Sequence, residues 1–457
     1  MRINNDQTAP PAVDGRRALK LGAVLHGVGG AEDSELWRHP EISTTASVSI
    51  DWYVRQARQA EDAHFDFVFI VDSQYIDPGY PNHHLNRLEP TTLLAAVAVN
   101  TERIGLVATV STTYSEPWDI ARRLASLDLI SDGRAAWNIV TSFDPGTAGN
   151  FSRDSHGDYA TRYRRATESI DVVTGLWDSY EDDAFATDKS SQRFLDPSKL
   201  HRLEHVGEFF SVTGPLNVSR SRQGQPVLVQ AGTSEQGREL SATKGEVIFS
   251  FAKTSDWALD FAADVRERAA AAGRNPQDLL FIPALGVTIR DTDDQARREA
   301  DRRREDVPLE RRLATLSRFF GGHDFTVYDP DQPFPDLAAA VVSSTTAEVI
   351  THAREAGLTL RETILLHQDT YAHFSGTAET VAAEIERWYR LGAADGFNLF
   401  VSDPEDFRRF RQDVVPSLVR RGIFRENYES DTLRGNLELA VPLNRHAKAV
   451  PAEPVRV

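Results

Sequence analysis

The sequence predicts an α/β protein built as a (β/α)8 TIM barrel with insertions. Three observations predict it. Eight short apolar runs are spread over residues 18–401, most are followed by a helix-like segment, and the 457-residue length accommodates eight such units plus extra elements. Continuous apolar runs suit strands buried on both faces of a parallel sheet. The strand runs are Ala18–Leu25, Phe65–Val71, Ile104–Val110, Ala135–Val140, Pro226–Gln230, Glu246–Ser250, Leu279–Val287 and Gly396–Val401. Helical patterns cover Ile50–Ala63, Pro90–Asn100, Pro117–Leu129, Tyr159–Trp177, Ser234–Thr243, Ser255–Ala272, Thr377–Leu391 and Glu405–Arg421. An open, doubly wound sheet has the same periodicity and stays open as an alternative.

The barrel is expected over residues 18–440 as one domain. Two stretches exceed a minimal barrel: 178–225, rich in turn-forming residues, and 290–376, which holds a charged helix at Asp294–Glu305. Insertions of this kind build lids or interfaces, and 290–376 is expected to cover the pocket. Residues 1–17 read as a disordered lead-in and 441–457 as a C-terminal tail.

Composition narrows function. A net charge of −17 argues against a nucleic-acid partner. The absence of cysteine excludes disulfides, thiolate catalysis and Cys-type metal centres. No apolar run approaches the ~18 residues of a membrane-spanning helix, and no apolar leader segment is seen, so a cytoplasmic location is expected.

In such a barrel the chemistry lies at the C-terminal ends of the strands. Those ends carry His26, Asp72, Ser73, Thr109 to Thr113, Asn138, Thr141, Ser142, Gln230 to Ser234 and Ser250. The set is mostly neutral and polar. A metallohydrolase would converge several His, Asp and Glu there, and a glycosidase two carboxylates. Amides and hydroxyls instead suit an extended polar cofactor that carries the hard chemistry itself. In QAGTSEQGR (230–238), Ser234 either only caps the helix or, with the helix N-terminus, holds a phosphate. Asp72 either caps its loop or accepts a hydrogen bond from a cofactor. His39, in Trp37–Pro40, and the pair His83 and His84, read as lying in a polar loop, are not expected to bind metal.

Several long segments make a more specific statement. LWRHPEI, FDFVFIVDS, the block LEPTTLLAAVAVNTERIGLVATVSTTYSEPWDIARRLASLDLISDGRAAWNIVTS, RYRRATESIDVVTGLWDSYEDDA, HVGEFFSVTGPLNVSRSRQGQPVLVQAGTSEQGRELSA and DGFNLFVSDPEDF occur in order from about residue 22 to 425. Together they resemble the nitrilotriacetate, EDTA and dibenzothiophene-sulfone monooxygenase group of the bacterial luciferase-like superfamily. The resemblance implies a two-component, FMNH2-dependent monooxygenase. A separate NAD(P)H:flavin reductase would supply FMNH2, and a flavin C4a-peroxide formed with O2 would oxygenate a small organic substrate. It also implies a homodimer or homotetramer.

By the same resemblance FMN is held by Asp72, Thr109, Tyr159, Tyr163 and Ser234, with Asn138, Gln230 and Gly232 as second contacts. One departure stands out. The family pattern often places His four residues before the tyrosine, whereas this chain has YATRY, with Tyr159 in that position and His156 as a substitute one turn earlier. His26 is the candidate for controlling the flavin peroxide, against a structural role bonded to Trp37–Pro40. Phe69 and Phe249 are candidates for an apolar substrate wall, against core packing, and lean the expected substrate towards apolar or aromatic. A flavin-binding barrel without oxygenase activity and a deazaflavin-dependent oxidoreductase are the alternatives.

Overall fold

The computed structural model describes residues 17–29, 36–77, 82–320, 322–337, 344–367, 371–401 and 403–447. The lead-in expected over 1–17 lies, but for Arg17, outside these residues.

Among the described residues, ten parallel strands form one sheet: β1 (Lys20–Leu25), β2 (Phe67–Ile70), β3 (Gly105–Ser111), β4 (Ala135–Val140), β7 (Val227–Gln230), β8 (Val247–Ile248), β9 (Leu280–Phe281), β10 (Ala284–Ile289), β11 (Ala372–Gly376) and β12 (Gly396–Val401), ordered β11-β10-β12-β1-β2-β3-β4-β7-β8-β9. A small hairpin, β5 (His205–Val206) with β6 (Ser211–Val212), sits in the first insertion. β9 and β10 are two halves of one run, interrupted at Pro283, whose ring removes a ladder donor. The lower half pairs with β8 and the upper half with β12. The backbone N–H of Asn398 donates to the Pro283 carbonyl at 2.8 Å, and that of Ala284 to Ser250 at 2.8 Å. The sheet is thereby closed, which removes the open-sheet alternative, and the eight expected runs are its eight staves.

Alternation along each strand divides two cores. Leu21, Ala23, Val68, Ile70, Leu106, Ala108, Trp137, Phe397 and Leu399 point outward to the helices. Val24, Phe67, Phe69, Val107, Ala136, Val229, Phe249 and Phe400 fill the lumen. Gly22 is required on β1, because a Cβ there would lie 2.1 Å from the Phe67 ring. Thr109 and Asn138 share the parity of Val107 and Ala136, so both belong to the lumen.

The N-terminal end of the barrel is stoppered by the chain's last elements. Leu433, Leu437 and Leu439 join the lumen core. Around them lies a buried charge network. The Asp66 carboxylate accepts from the Leu21 backbone N–H at 2.7 Å and from the Arg425 guanidinium. Lys20 donates to the Asn436 carbonyl at 2.9 Å and to Glu438 at 2.6 Å. Arg434 bridges to Glu246.

Besides the small hairpin, one strand of the main sheet was not expected. β11 ends the second insertion and pairs with β10 over Leu285–Ile289. The insertion's helices Leu309–Phe319, Ser344–Ala356 and Leu360–His367 accompany a hydrophobic cluster of their own, with Leu313, Phe320, Phe325, Ile350, Leu360 and Ile364 at its centre. In the tail, Asn444 donates to the Tyr180 carbonyl at 2.7 Å and the His446 ring stacks on His201 at 3.9 Å, so residues up to 447 are tied to the first insertion.

Replacing Asp66 with Ala leaves the Arg425 guanidinium buried and without its carboxylate, and the Leu21 N–H without its acceptor. The expected loss is about 3–5 kcal/mol of unfolding free energy, read by urea denaturation. A loss below about 1 kcal/mol, the range of an exposed ion pair, contradicts this role.

Candidate active site

Two helix N-termini meet at the C-terminal mouth of the barrel. Helix Tyr159–Trp177 is capped by Asp158, whose side chain accepts from the Thr161 N–H. Helix Glu235–Lys244 is capped by Ser234, which accepts from the Gly237 N–H at 3.2 Å. The capping role is therefore real, and the same hydroxyl also hydrogen-bonds the Tyr159 hydroxyl. Tyr163 completes the cluster: its ring lies 4.8 Å from that of Tyr159, and its hydroxyl interacts with Tyr159, Ser234 and Thr141. Burial raises the Tyr163 pKa further above its ordinary value, so the phenol stays a neutral donor. Gly232 permits this approach, since a Cβ there would sit 2.9 Å from the Tyr163 hydroxyl and 2.7 Å from Gln230 Nε2. Gln230 Oε1 fixes the turn by accepting from the Gly232 N–H at 2.8 Å and from Ser241.

His156 does not carry charge here. Its Nε2 donates to the Ser142 carbonyl at 3.2 Å, so Nδ1 is left to accept from the Tyr114 hydroxyl at 2.5 Å. Burial and the nearby Arg162 lower its pKa to about 4.

On the lumen side, Thr109 donates to the Ile70 carbonyl at 2.7 Å and accepts from Asn138 Nδ2 at 2.8 Å. The other end of that amide, Asn138 Oδ1, is buried with no hydrogen-bond partner among the described residues. A buried acceptor left in this way costs about 1–3 kcal/mol, and a ligand N–H would satisfy it.

Across the mouth, Asp72 lies 3.1 Å from Arg87, which also donates to the Ser73 carbonyl and contacts His84 Nδ1 at 2.6 Å. Burial raises the Asp72 pKa to about 6 despite Arg87. His83, expected in a polar loop, is instead 1% exposed in a short helix, Asn82–Leu85. Its Nδ1 accepts from Ser47 at 2.9 Å and from the Gly27 N–H at 3.3 Å. Its ring meets that of His26 edge-on at 5.5 Å. His26 stacks on Phe400 at 5.7 Å, and burial, followed by Arg87, lowers its pKa to about 4. It is a neutral imidazole across the physiological range.

Phe69 and Phe249 contact each other at 5.8 Å inside the lumen and are almost fully buried. The aromatic face nearer solvent is formed by Phe251, 45% exposed, with Tyr371 and Phe400. Tyr371 comes from the return of the second insertion and stacks on Phe400 at 4.8 Å. Among the described residues no three His, Asp or Glu side chains gather closely enough for a metal ion, and no helix is long and apolar enough to cross a membrane.

The luciferase-like monooxygenase family matches residues 35–395. The chain belongs to the luciferase-like monooxygenases. Within that family it is 42% identical to the N-acetyl-S-(2-succino)cysteine monooxygenase of Bacillus subtilis (strain 168), over 95% of this chain and 99% of that protein. It is 41% identical to nitrilotriacetate monooxygenase component A of Aminobacter aminovorans, over 90% and 95%. Among solved structures it resembles a riboflavin lyase with modified FMN and riboflavin, with a TM-score of 0.83 and 31% identity over 92% of this chain and 96% of that one. This luciferase-like monooxygenase is therefore an enzyme, and the resemblance read from its sequence holds.

Arg87 and the aromatic face of Phe251, Tyr371 and Phe400 at the mouth of this luciferase-like monooxygenase escaped the sequence reading. Arg87 had one available signal: a carboxylate that ends an apolar strand, as Asp72 does, calls for a cation. Tyr371 had none, because only the course of the insertion brings it to the mouth.

The His26 pKa predicts a specific pH dependence. Lowered from 6.5 to about 4, it contributes stability that is present above pH 6.5 and is lost as pH falls towards 4. Between pH 7.5 and 4.5, wild type should lose roughly 2–3 kcal/mol relative to His26→Gln, measured by urea unfolding at both pH values. A pH-independent difference shows that His26 is not buried as a neutral ring.

Proposed function

We propose that this monooxygenase is the oxygenase component of a two-component system. It uses reduced FMN from a separate NAD(P)H:flavin reductase to insert one atom of O2 into a small organic substrate. The observation that carries this reading is the convergence of the Tyr159, Tyr163 and Ser234 hydroxyls on two helix N-termini. Neutral donors backed by helix dipoles suit a phosphate. Asn138 Oδ1 supplies the second test of fit: a buried acceptor in the lumen matches a flavin-ring N–H, with Thr109 orienting the amide. Asp72, held by Arg87, borders the same mouth.

When bound, the reduced flavin supplies the electrons that activate O2. The chain's own residues do the rest. The hydroxyl cluster holds the phosphate end. Gln230 and Gly232 shape the turn beneath it. His26, neutral and buried, can hold or pass a proton at one ring nitrogen without adding charge to the pocket. Phe251, Tyr371 and Phe400 exclude water and offer an apolar or aromatic face to the substrate. The insertion that carries Tyr371 acts as a lid.

FMN should bind the purified protein with quenching of its fluorescence, and Tyr163→Phe should weaken binding about tenfold or more, as for loss of a hydrogen bond to a charged group. With a reductase and NADH, the wild-type protein should slow the reoxidation of free FMNH2 by sequestering it. Protein that neither binds FMN nor alters reoxidation contradicts the proposal.

A further inference from the structure

We infer that His83 is a positioning residue: it holds the loop that leaves β1 so that His26 stays in the lumen as a dry, neutral ring. What that ring does for the reaction rests on the flavin reading above, whereas the geometry of the pair does not.

Both rings are buried and meet edge-on at 5.5 Å. The four residues His26 to Gly29 follow β1 and are pinned by side chains and backbone outside it. The His26 carbonyl accepts from Trp52 Nε1 at 2.9 Å. The Gly27 N–H donates to His83 Nδ1 at 3.3 Å, and the Val28 N–H to Ser47 Oγ at 3.0 Å. The Gly29 carbonyl accepts from the His83 backbone N–H at 2.8 Å. Two of these bonds end on His83, and a third ends on Ser47, whose hydroxyl lies 2.9 Å from His83 Nδ1. Gly27 leaves no room for a side chain, since a Cβ there would sit 2.3 Å from Ser47 Cα and Oγ. The loop is therefore pressed against Ser47 and tied to His83.

The direction of each bond fixes the His83 ring. Ser47 Oγ accepts from Val28, so its own proton is directed to His83 Nδ1. The Gly27 N–H points at the same nitrogen. Nδ1 is thus the bare nitrogen, and the ring proton sits on Nε2. A proton added at Nδ1 would set N–H against N–H and break both bonds. Burial, followed by His26, His84 and Arg87, holds the His83 pKa well below its ordinary value in the same sense. The other titratable and charged groups around the pair, among the described residues, are Arg87 with its partners Asp72 and His84, and Tyr53, whose hydroxyl donates to the Ser47 carbonyl at 3.4 Å. A leucine at position 83 would fill similar space but accept nothing. The Gly27 N–H and the Ser47 hydroxyl would then turn to water, and water drawn into this loop would hydrate His26.

The test reads His26 itself. Its imidazole signal, identified by its loss in His26→Gln, is followed by NMR in the flavin-free protein from about pH 8 to about pH 5. Wild type should keep His26 neutral throughout. So should His83→Asn, whose Oδ1 stands where Nδ1 stood. His83→Leu should raise the His26 pKa by about one unit or more, from about 4 towards 6.5. Ser47→Ala, which keeps the ring and removes its hydroxyl donor, should raise it by a smaller amount, and it carries the test if His83→Leu does not fold. With protein in excess over FMN, a flavin reductase, NADH and no organic substrate, hydrogen peroxide release by His83→Leu should change with pH across the new His26 titration. Release by wild type and His83→Asn should not. A folded His83→Leu protein with an unshifted His26, an unshifted His26 in Ser47→Ala, or a His83→Asn protein shifted as far as His83→Leu overturns the inference. A shifted His26 with unaltered peroxide release overturns its consequence for the reaction. Failure of wild type to bind FMN overturns the flavin reading and leaves the NMR result standing.

Discussion

Everything at the mouth depends on the closure of the strand ring through the bent run Leu280–Ile289. Because Pro283 has no N–H, the strand changes partners there, from β8 below to β12 above. Closure fixes the height and direction of every strand end. It brings His26 on the first stave within stacking distance of Phe400 on the last. It also sets Thr109 and Asn138 side by side on adjacent strands, where register places the two residues opposite each other. The stopper of Leu433, Leu437 and Leu439, with Asp66 and Arg425, completes the other end of the barrel, the end whose packing serves stability.

On that frame the site is held mainly by groups that bear no charge. The phenols of Tyr159 and Tyr163, the Ser234 hydroxyl and the Asn138 amide need little compensation when water leaves, whereas buried ions need partners. The charged groups at the mouth sit at its edge and are tied down, Asp72 to Arg87 and Arg162 to the Gly157 carbonyl. His26 and His83 are kept neutral by burial. A mouth lined this way keeps most of its buried polar groups uncharged, which lowers the cost of removing water from it.

Most of the barrel was legible in the sequence because buried parallel strands are continuously apolar. All eight staves were visible as such runs, and helix Tyr159–Trp177 has the bounds the sequence predicts, with Asp158 as its cap. Ring closure was not legible, since periodicity is the same in an open sheet. β11 was missed because Ala372–Gly376 is short and mixed in polarity, and becomes a strand only by pairing with β10. In the site, Ser234 and Thr109 could be found as hydroxyls at strand ends. The two tyrosines came from family resemblance, and the structure brings them to Ser234. His83 looked like a loop residue because its burial is set by long-range partners, Ser47 and Gly27. Arg87 and Tyr371 lie in segments without a regular pattern, where sequence order says little about position.

The most direct test is a crystal structure of the protein soaked with FMN. The account predicts the phosphate within hydrogen-bonding distance of Tyr159, Tyr163 and Ser234, and the flavin ring lying over the lumen with a polar edge towards Asn138. Flavin bound at any other face, or at this mouth with its phosphate turned away from the three hydroxyls, would contradict it.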